Sequence, residues 1–214
     1  KIAEASILSF HPVKHVAAGE GGAIVTDDAG LAEKAARFRN HGISADHSQR
    51  ASLNTWEYEI ADLGFNYRMS DIHCALGESQ LSGLTDNVAS RQRIAGVYDA
   101  EFEGLDGVTP LITDSRNSNA YHLYIVKIDA SVFSADRAQF FAALRAENIG
   151  VNVHYIPVGR HPIYVELGYD RAMCPNGESA YEEIITLPLW PKMIDQDVTD
   201  VIDAVSKVAR AYSR

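Results

Sequence analysis

The sequence predicts an α/β chain in two parts: an α/β region over residues 1–86, then a connecting helix and a small α+β domain over residues 87–214. Three observations predict it. Short apolar runs bounded by turn residues, at 7–10 and 23–26, are followed by an alanine-rich helical stretch. An alternating segment at 120–128 opens a second pattern in which strand and helix signals interleave. An amphipathic helix over 197–212 closes the chain.

The elements follow in order. The runs at 7–10 and 23–26 read as strands buried on both faces. Asp27 and Asp28 precede the alanine-rich residues 31–39 as helix-opening acids, and Asn40-His41-Gly42 ends that helix. Residues 43–62 are polar with no clean period and only Trp56 and Tyr58 as anchors, which predicts a long irregular loop of the kind that often carries function. Ser70 caps a helix from Asp71, with Ile72, Ala75, Leu76, Ser79 and Leu81 approximating one face. Helical character resumes over 87–102, where Val88, Ile94, Ala95, Tyr98 and Phe102 recur, and residues 104–110 break it. Residues 120–128 alternate as a strand, Asp136 opens a helix over 137–147, and 150–155 reads as a second strand. The last helix turns Val198, Val201, Ile202, Val205 and Val208 inward.

Composition excludes some functions. A net charge of −10 over 214 residues argues against a general nucleic-acid binder, which needs a basic face. It leaves room for a small anionic ligand, which needs only local cations and backbone N–H groups. Cys74 and Cys174 form no CxxC spacing, and a reduced, cytoplasmic chain is the expectation. No run approaches the ~18 apolar residues of a membrane span, and no signal peptide is visible. The eight histidines show no metal-ligand spacing, and neither GxGxxG nor a Walker loop occurs. Gly19-Glu20-Gly21-Gly22 leads into a strand, where a phosphate loop leads into a helix.

The most chemical segment is Ser9-Phe10-His11-Pro12-Val13-Lys14. A lysine held in a tight loop between two strands is well placed for desolvation and for service as a nucleophilic amine in Schiff-base chemistry. The plainer reading is a solvated turn lysine. Ser9 reads as a strand-end hydroxyl or as an anion donor. Asn66, among glycine and aromatic neighbours, is by default a turn residue that tolerates positive φ. His154 and Tyr155 face opposite sides of the expected strand, as a satisfied histidine and a packing tyrosine or as ligand contacts.

Several motifs in the right order resemble the DegT/DnrJ/EryC1/StrS family of nucleotide-sugar aminotransferases. They are the Ser9-to-Lys14 string with Glu20-Gly21-Gly22, then Gly64-Phe65-Asn66-Tyr67-Arg68-Met69-Ser70-Asp71-Ile72 with Ala75-Leu76-Gly77 and Gln80-Leu81. Gly150-Val151-Asn152-Val153-His154-Tyr155-Ile156-Pro157-Val158 and Leu187-Pro188-Leu189 complete them. The resemblance implies an aspartate-aminotransferase-like, fold type I enzyme using pyridoxal 5'-phosphate (PLP). Residues 1–86 would then be the C-terminal part of the large PLP-binding domain. By the same resemblance Lys14 links covalently to the cofactor aldehyde and moves the proton, and Ser9 binds the cofactor phosphate. Asn66 donates its amide to the phosphate of the neighbouring subunit's cofactor, giving a homodimer with a composite active site. His154 and Tyr155 lie over the site mouth and close on the nucleotide-sugar substrate, with glutamate as amino donor. The implied partners include neither nucleic acid nor membrane.

The family's N-terminal portion supplies an aromatic ring that stacks on the cofactor and an Asp that pairs its pyridine nitrogen. Neither motif is in this sequence, so the expectation is the C-terminal portion of a longer protein, inactive as a fragment. The His-Pro-Val-Lys variant most resembles the branch on the route to pseudaminic acid, while the perosamine and aminoarabinose branches share most of the motif. A sugar 3-dehydratase of the same fold carries histidine in place of Lys14 and does not fit. The alternative from a different class is a non-catalytic, regulatory member that keeps the fold without turnover.

Overall fold

The computed structural model describes residues 3–45 and 47–214. The chain divides into two units, Lys1–Thr85 and Asp86–Arg214. In the first, β1 (Ser6–Ser9) and β2 (Gly22–Val25) pair antiparallel, Ser6 opposite Val25 and Ser9 opposite Gly22. The α1 helix (Ala29–Phe38) starts at Asp28, whose carboxylate accepts from the N–H groups of Gly30 at 2.8 Å and Leu31 at 3.0 Å. His41 and Gly42 stop the chain from continuing as helix by taking φ of 61° and 70°. Within the expected irregular loop lies a short helix, α2 (His47–Ser52). The expected helix from Asp71 is α3 (Asp71–Ser82), with the Ser70 hydroxyl accepting from the His73 N–H at 3.4 Å.

One expectation fails in this unit. All four residues of β1 are exposed, and Ile24 and Val25 of β2 are exposed as well. Among the described strands β1 and β2 pair only with each other, so no further strand extends either edge of the hairpin. The apolar face expected on α3 is likewise open at Ile72, Leu76 and Leu81. An apolar run states what a segment is able to bury; burial needs a partner surface.

Order here comes from backbone pairing and close approach. Gly42 donates its N–H to the Arg37 carbonyl, accepts from the Ala61 N–H at 2.9 Å, and leaves no room for a Cβ, which would run into the Asp62 carbonyl. Gly42→Ala is therefore expected to destabilise the chain by roughly 1–3 kcal/mol from the positive φ alone, with the clash added. Thermal unfolding followed by circular dichroism checks this, and an unchanged melting temperature would refute it.

The second unit has its own core. It is entered by α4 (Leu84–Phe102), which begins at Leu84 rather than at 87. β3 (Val108–Pro110), β4 (Tyr124–Ile128) and α5 (Arg137–Ala146) follow. Then come α6 (Pro162–Glu166), α7 (Pro175–Glu183), β5 (Ile184–Leu187) and α8 (Asp195–Tyr212). The three strands form an antiparallel sheet in the order β3-β4-β5. A reciprocal capping box starts α5: Asp136 accepts from the Gln139 N–H, and the Gln139 side chain accepts from the Asp136 N–H. The inward face of α8 is Val198, Val201, Val205 and Val208, as the periodicity predicts, with Ile202 only partly buried.

Two strand expectations need correction. The strand expected over 120–128 begins only at Tyr124, because Tyr121 takes φ of 48°. The strand expected over 150–155 is reduced to a single bridge, Asn152 to Thr186. That bridge alone sets residues 152–154 alongside β5.

Buried polar groups hold the sheet to its surroundings. The Tyr98 hydroxyl donates to the Pro188 carbonyl at 3.0 Å, and the Tyr124 hydroxyl to Asp99 Oδ1 at 2.6 Å. Burial pushes both phenols above the ordinary tyrosine range. Arg91 lies buried, its Nη1 donating to the carbonyls of Tyr121, His122 and Leu189. One guanidinium thereby ties α4 to two separate loops.

Candidate active site

The Lys14 loop is closed by its own backbone. The Phe10 N–H donates to the Gly21 carbonyl and the Ala18 N–H to the Phe10 carbonyl, both at 2.9 Å. Inside that closure the Lys14 N–H donates to the His11 carbonyl at 2.9 Å, making a turn, and the Val13 N–H donates to His11 Nδ1 at 3.4 Å. His11 thus shapes the loop. The Ser9 hydroxyl, exposed at the strand end, accepts from the His11 N–H at 3.4 Å. Ser9 and Lys14 share one short loop, and Lys14 is half-buried. The two buried strands expected around it are in fact open to solvent.

What covers this loop is one face of the segment entering and forming α3. His73 and Gly77 stand four residues apart on one face of α3, and Met69 lies just before its Ser70 cap. Gly21, at φ 147°, has the Met69 sulfur 2.7 Å from where its Cβ would stand. A Cβ on Gly19 would stand 3.2 Å from the His73 ring, and one on Gly77 3.5 Å from the Ala18 methyl. Ala18 is fully buried there. His73 is itself steadied by Ser70, whose hydroxyl lies 3.2 Å from its Nδ1. The glycine-rich turn is needed because a helix side lies against it. Sequence reasoning assigned Met69, His73 and Gly77 no role, although their four-residue spacing was the available signal.

Asn66 is extended, bridging to Asn40, and not in the left-handed turn that its neighbours suggested. Hydrogen bonds from His41 to the Phe65 carbonyl and from Tyr67 to the Arg39 carbonyl flank it. Its side chain is exposed, and among the described residues no hydrogen bond engages its amide. Phe65 and Tyr67 stack at 5.0 Å on either side of it in sequence, so the chain there is held while the amide is left to point elsewhere. Arg68 is committed, donating to Asn40 Oδ1 at 2.6 Å.

His154 and Tyr155 belong to the second unit. The His154 Nδ1 lies 2.8 Å from the Thr186 hydroxyl, and the ring meets Tyr155 edge-on at 4.5 Å. His154 is half-buried, whereas Tyr155 is 65% exposed. Just beyond, Arg160 fixes the segment to α7: its Nε donates to Glu178 at 2.6 Å, its Nη2 pairs with Glu182, and its guanidinium lies over the Tyr181 ring at 4.5 Å.

Burial holds His154 below the ordinary histidine range. Because its folded-state pKa is lower than its unfolded one, the unfolded chain binds the proton first as pH falls. Stability therefore drops as pH falls through the ordinary range near ~6.5 and levels off once both states are protonated. A ring-proton NMR titration is expected to give a His154 midpoint below ~6.5, and a midpoint at or above it would refute the burial argument.

Residues 1–206 match the DegT/DnrJ/EryC1/StrS aminotransferase family, and the chain belongs to that family. It is 39% identical over 213 residues to the spore coat polysaccharide biosynthesis protein SpsC of Bacillus subtilis, with 98% of this chain and 54% of that protein covered. It is 33% identical over 216 residues to the UDP-4-amino-4,6-dideoxy-N-acetyl-beta-L-altrosamine transaminase of Campylobacter jejuni, with 99% and 55% covered. Among solved structures it matches Helicobacter pylori PseC, an aminotransferase involved in the biosynthesis of pseudoaminic acid. That match has TM-score 0.86 and 30% identity, covering 98% of this chain and 54% of that one. The chain spans about half the length of the relatives it matches. Its fold is the α/β, fold type I arrangement of the PLP-dependent sugar aminotransferases, as the motifs implied.

Proposed function

We propose that this chain is the lysine-bearing portion of a PLP-dependent sugar-nucleotide aminotransferase, with Lys14 as the residue that holds the cofactor. The observation that carries this reading is the loop itself. A primary amine and a strand-end hydroxyl sit on one closed turn, and a helix face packs behind its glycines. That donor set suits PLP, which needs an amine for its aldehyde and hydrogen-bond donors for its phosphate. Residues 1–86 are then part of the large cofactor-binding domain, and residues 87–214 the connecting helix and small domain.

When bound, the cofactor supplies the electron sink for carbanion chemistry. The chain's own residues do the rest. The Lys14 amine would take the proton from the amino-bearing substrate carbon and deliver it on the cofactor side rather than put it back, which is what lets the amine be transferred. The Ser9 O–H donates to a phosphate oxygen, since its accepted bond from His11 leaves the hydrogen available. The Asn66 amide, unengaged among the described residues, serves the phosphate site of a partner subunit, making the cytoplasmic homodimer the working unit. His154 and Tyr155 close on the sugar nucleotide.

The amino donor is glutamate, and the acceptor is the keto carbon of a nucleotide-linked 4-keto-6-deoxy sugar, on the pseudaminic acid route. The Campylobacter jejuni and Helicobacter pylori relatives support that choice by their names. The test is to incubate the complete protein with PLP, glutamate and UDP-linked keto-sugars, then measure 2-oxoglutarate and the amino-sugar by mass spectrometry. Equal amounts of the two products support the reading. Bound PLP with no amine transfer would favour a non-catalytic member of the fold. Asn66→Ala is expected to weaken PLP retention by about tenfold, the loss of roughly one charge-assisted hydrogen bond. Equilibrium dialysis reads this, and unchanged retention would remove Asn66 from the phosphate site.

A further inference from the structure

β5 is buried at every position, and its sequence is Ile184-Ile185-Thr186-Leu187. A hydroxyl in such a strand is costly unless it is hydrogen-bonded. Thr186 is 5% exposed, and the partner recorded for its side chain is His154 Nδ1 at 2.8 Å. The backbone explains the meeting. Thr186 and Asn152 exchange both backbone hydrogen bonds, N–H to carbonyl, at 2.7 and 3.1 Å, so they stand directly opposite each other. His154, two residues on, is the diagonal neighbour of Thr186 on the same face, within reach of an imidazole.

The direction of that bond can be argued. If the ring donated from Nδ1, the Thr186 O–H would be a buried donor with no second partner among the described residues, at a cost of roughly 1–3 kcal/mol. If the hydroxyl donates to Nδ1, its one hydrogen is used and only spare lone pairs go unmatched, which is tolerated far better. The second arrangement places the imidazole proton on Nε2, which makes no hydrogen bond to the described residues.

We propose that Thr186 is a positioning residue: its hydroxyl donates to His154 Nδ1 and fixes the ring with an Nε2–H donor facing a ligand oxygen. On the function proposed above, that oxygen belongs to the nucleotide-linked sugar. Burial of His154 favours the neutral ring, in which one ring nitrogen donates and the other accepts.

The test has two arms. In the first, the 15N-labelled chain at about pH 8, above the histidine range, is studied by long-range 1H–15N NMR without cofactor or sugar. The His154 signals are identified by their loss in His154→Gln. The expected result is a proton on Nε2, a bare Nδ1, and a Thr186 hydroxyl proton protected from exchange. Thr186→Ser keeps this pattern, and Thr186→Val loses the hydroxyl signal and spreads the ring proton over both nitrogens. A proton found on Nδ1 in the parent, or a pattern unchanged in Thr186→Val, overturns the proposal. If Thr186→Val fails to fold, the parent and Thr186→Ser spectra decide alone. In the second arm, the complete protein's KM for the keto-sugar nucleotide is expected to rise roughly tenfold in Thr186→Val with kcat little changed, and to recover in Thr186→Ser. An unchanged KM overturns the ligand contact. Absence of turnover in the parent would sink the aminotransferase reading and leave the ring geometry to be decided by NMR.

Discussion

Lys14→Ala in the complete protein is expected to abolish amine transfer, lowering single-turnover rates by at least about 10⁴-fold. That figure combines the upper range for a positioned general base with the loss of covalent attachment. Lys14→Arg should be as inactive, because a guanidinium keeps the charge but does not give up its proton. The pair of variants therefore separates charge from proton transfer. Added methylamine should restore part of the rate in Lys14→Ala, where a small amine can enter the vacated space, and none in Lys14→Arg. Borohydride reduction of the parent with PLP should leave the label on the peptide containing Lys14. Turnover retained in Lys14→Ala would end the proposed role.

The second large effect is on stability, and it is asymmetric along the chain. Phe140 is fully buried, 5.3 Å from Phe133 and 6.3 Å from Tyr212 between ring centroids, where α5 meets α8. Phe140→Ala is expected to cost about 3–5 kcal/mol, the transfer term plus a cavity that packed neighbours fill only partly. Ile7 is as apolar but 75% exposed on an open hairpin. Ile7→Ala should stay within about 0.5 kcal/mol. Urea unfolding followed by far-ultraviolet circular dichroism reads both. An Ile7 effect as large as that of Phe140 would mean that the β1 face is covered in solution.

That contrast also shows what the sequence makes legible. Helices α3, α5 and α8 are readable because a cap and a period lie in consecutive residues: Ser70 before Asp71, Asp136 with Gln139, and valines in steps of three and four. β1 and β2 are readable as strands but not as exposed ones, since burial depends on what else packs there. β5 escapes because it follows α7 directly, with Ile184 serving both as the helix C-cap and as the first strand residue, so no turn residue marks its start. The strand expected over 150–155 fails for the opposite reason: the apolar alternation is present, but only Asn152 finds a partner.

The candidate site divides in the same way. Lys14, Ser9 and the glycine turn are adjacent in sequence and carry their chemistry openly. The His154–Thr186 contact joins residues 32 apart in sequence and exists only once the sheet has formed. Arg160 with Glu178 and Glu182 is equally invisible in one dimension, because its three charges come from two separate segments.

The packing of Met69, His73 and Gly77 against Gly21, Gly19 and Ala18 bears on protein engineering. The lysine turn is not a portable cassette. Moved to another scaffold without residues 69–77, it would lose the surface that decides which of its positions must lack a side chain, and its glycines would become free hinges. Conversely, a swap among related enzymes should exchange both segments together, and trimming His73 or Met69 would not by itself admit a side chain at Gly19 or Gly21, whose positive φ strains any residue but glycine. Loop and helix behave as one interchangeable part.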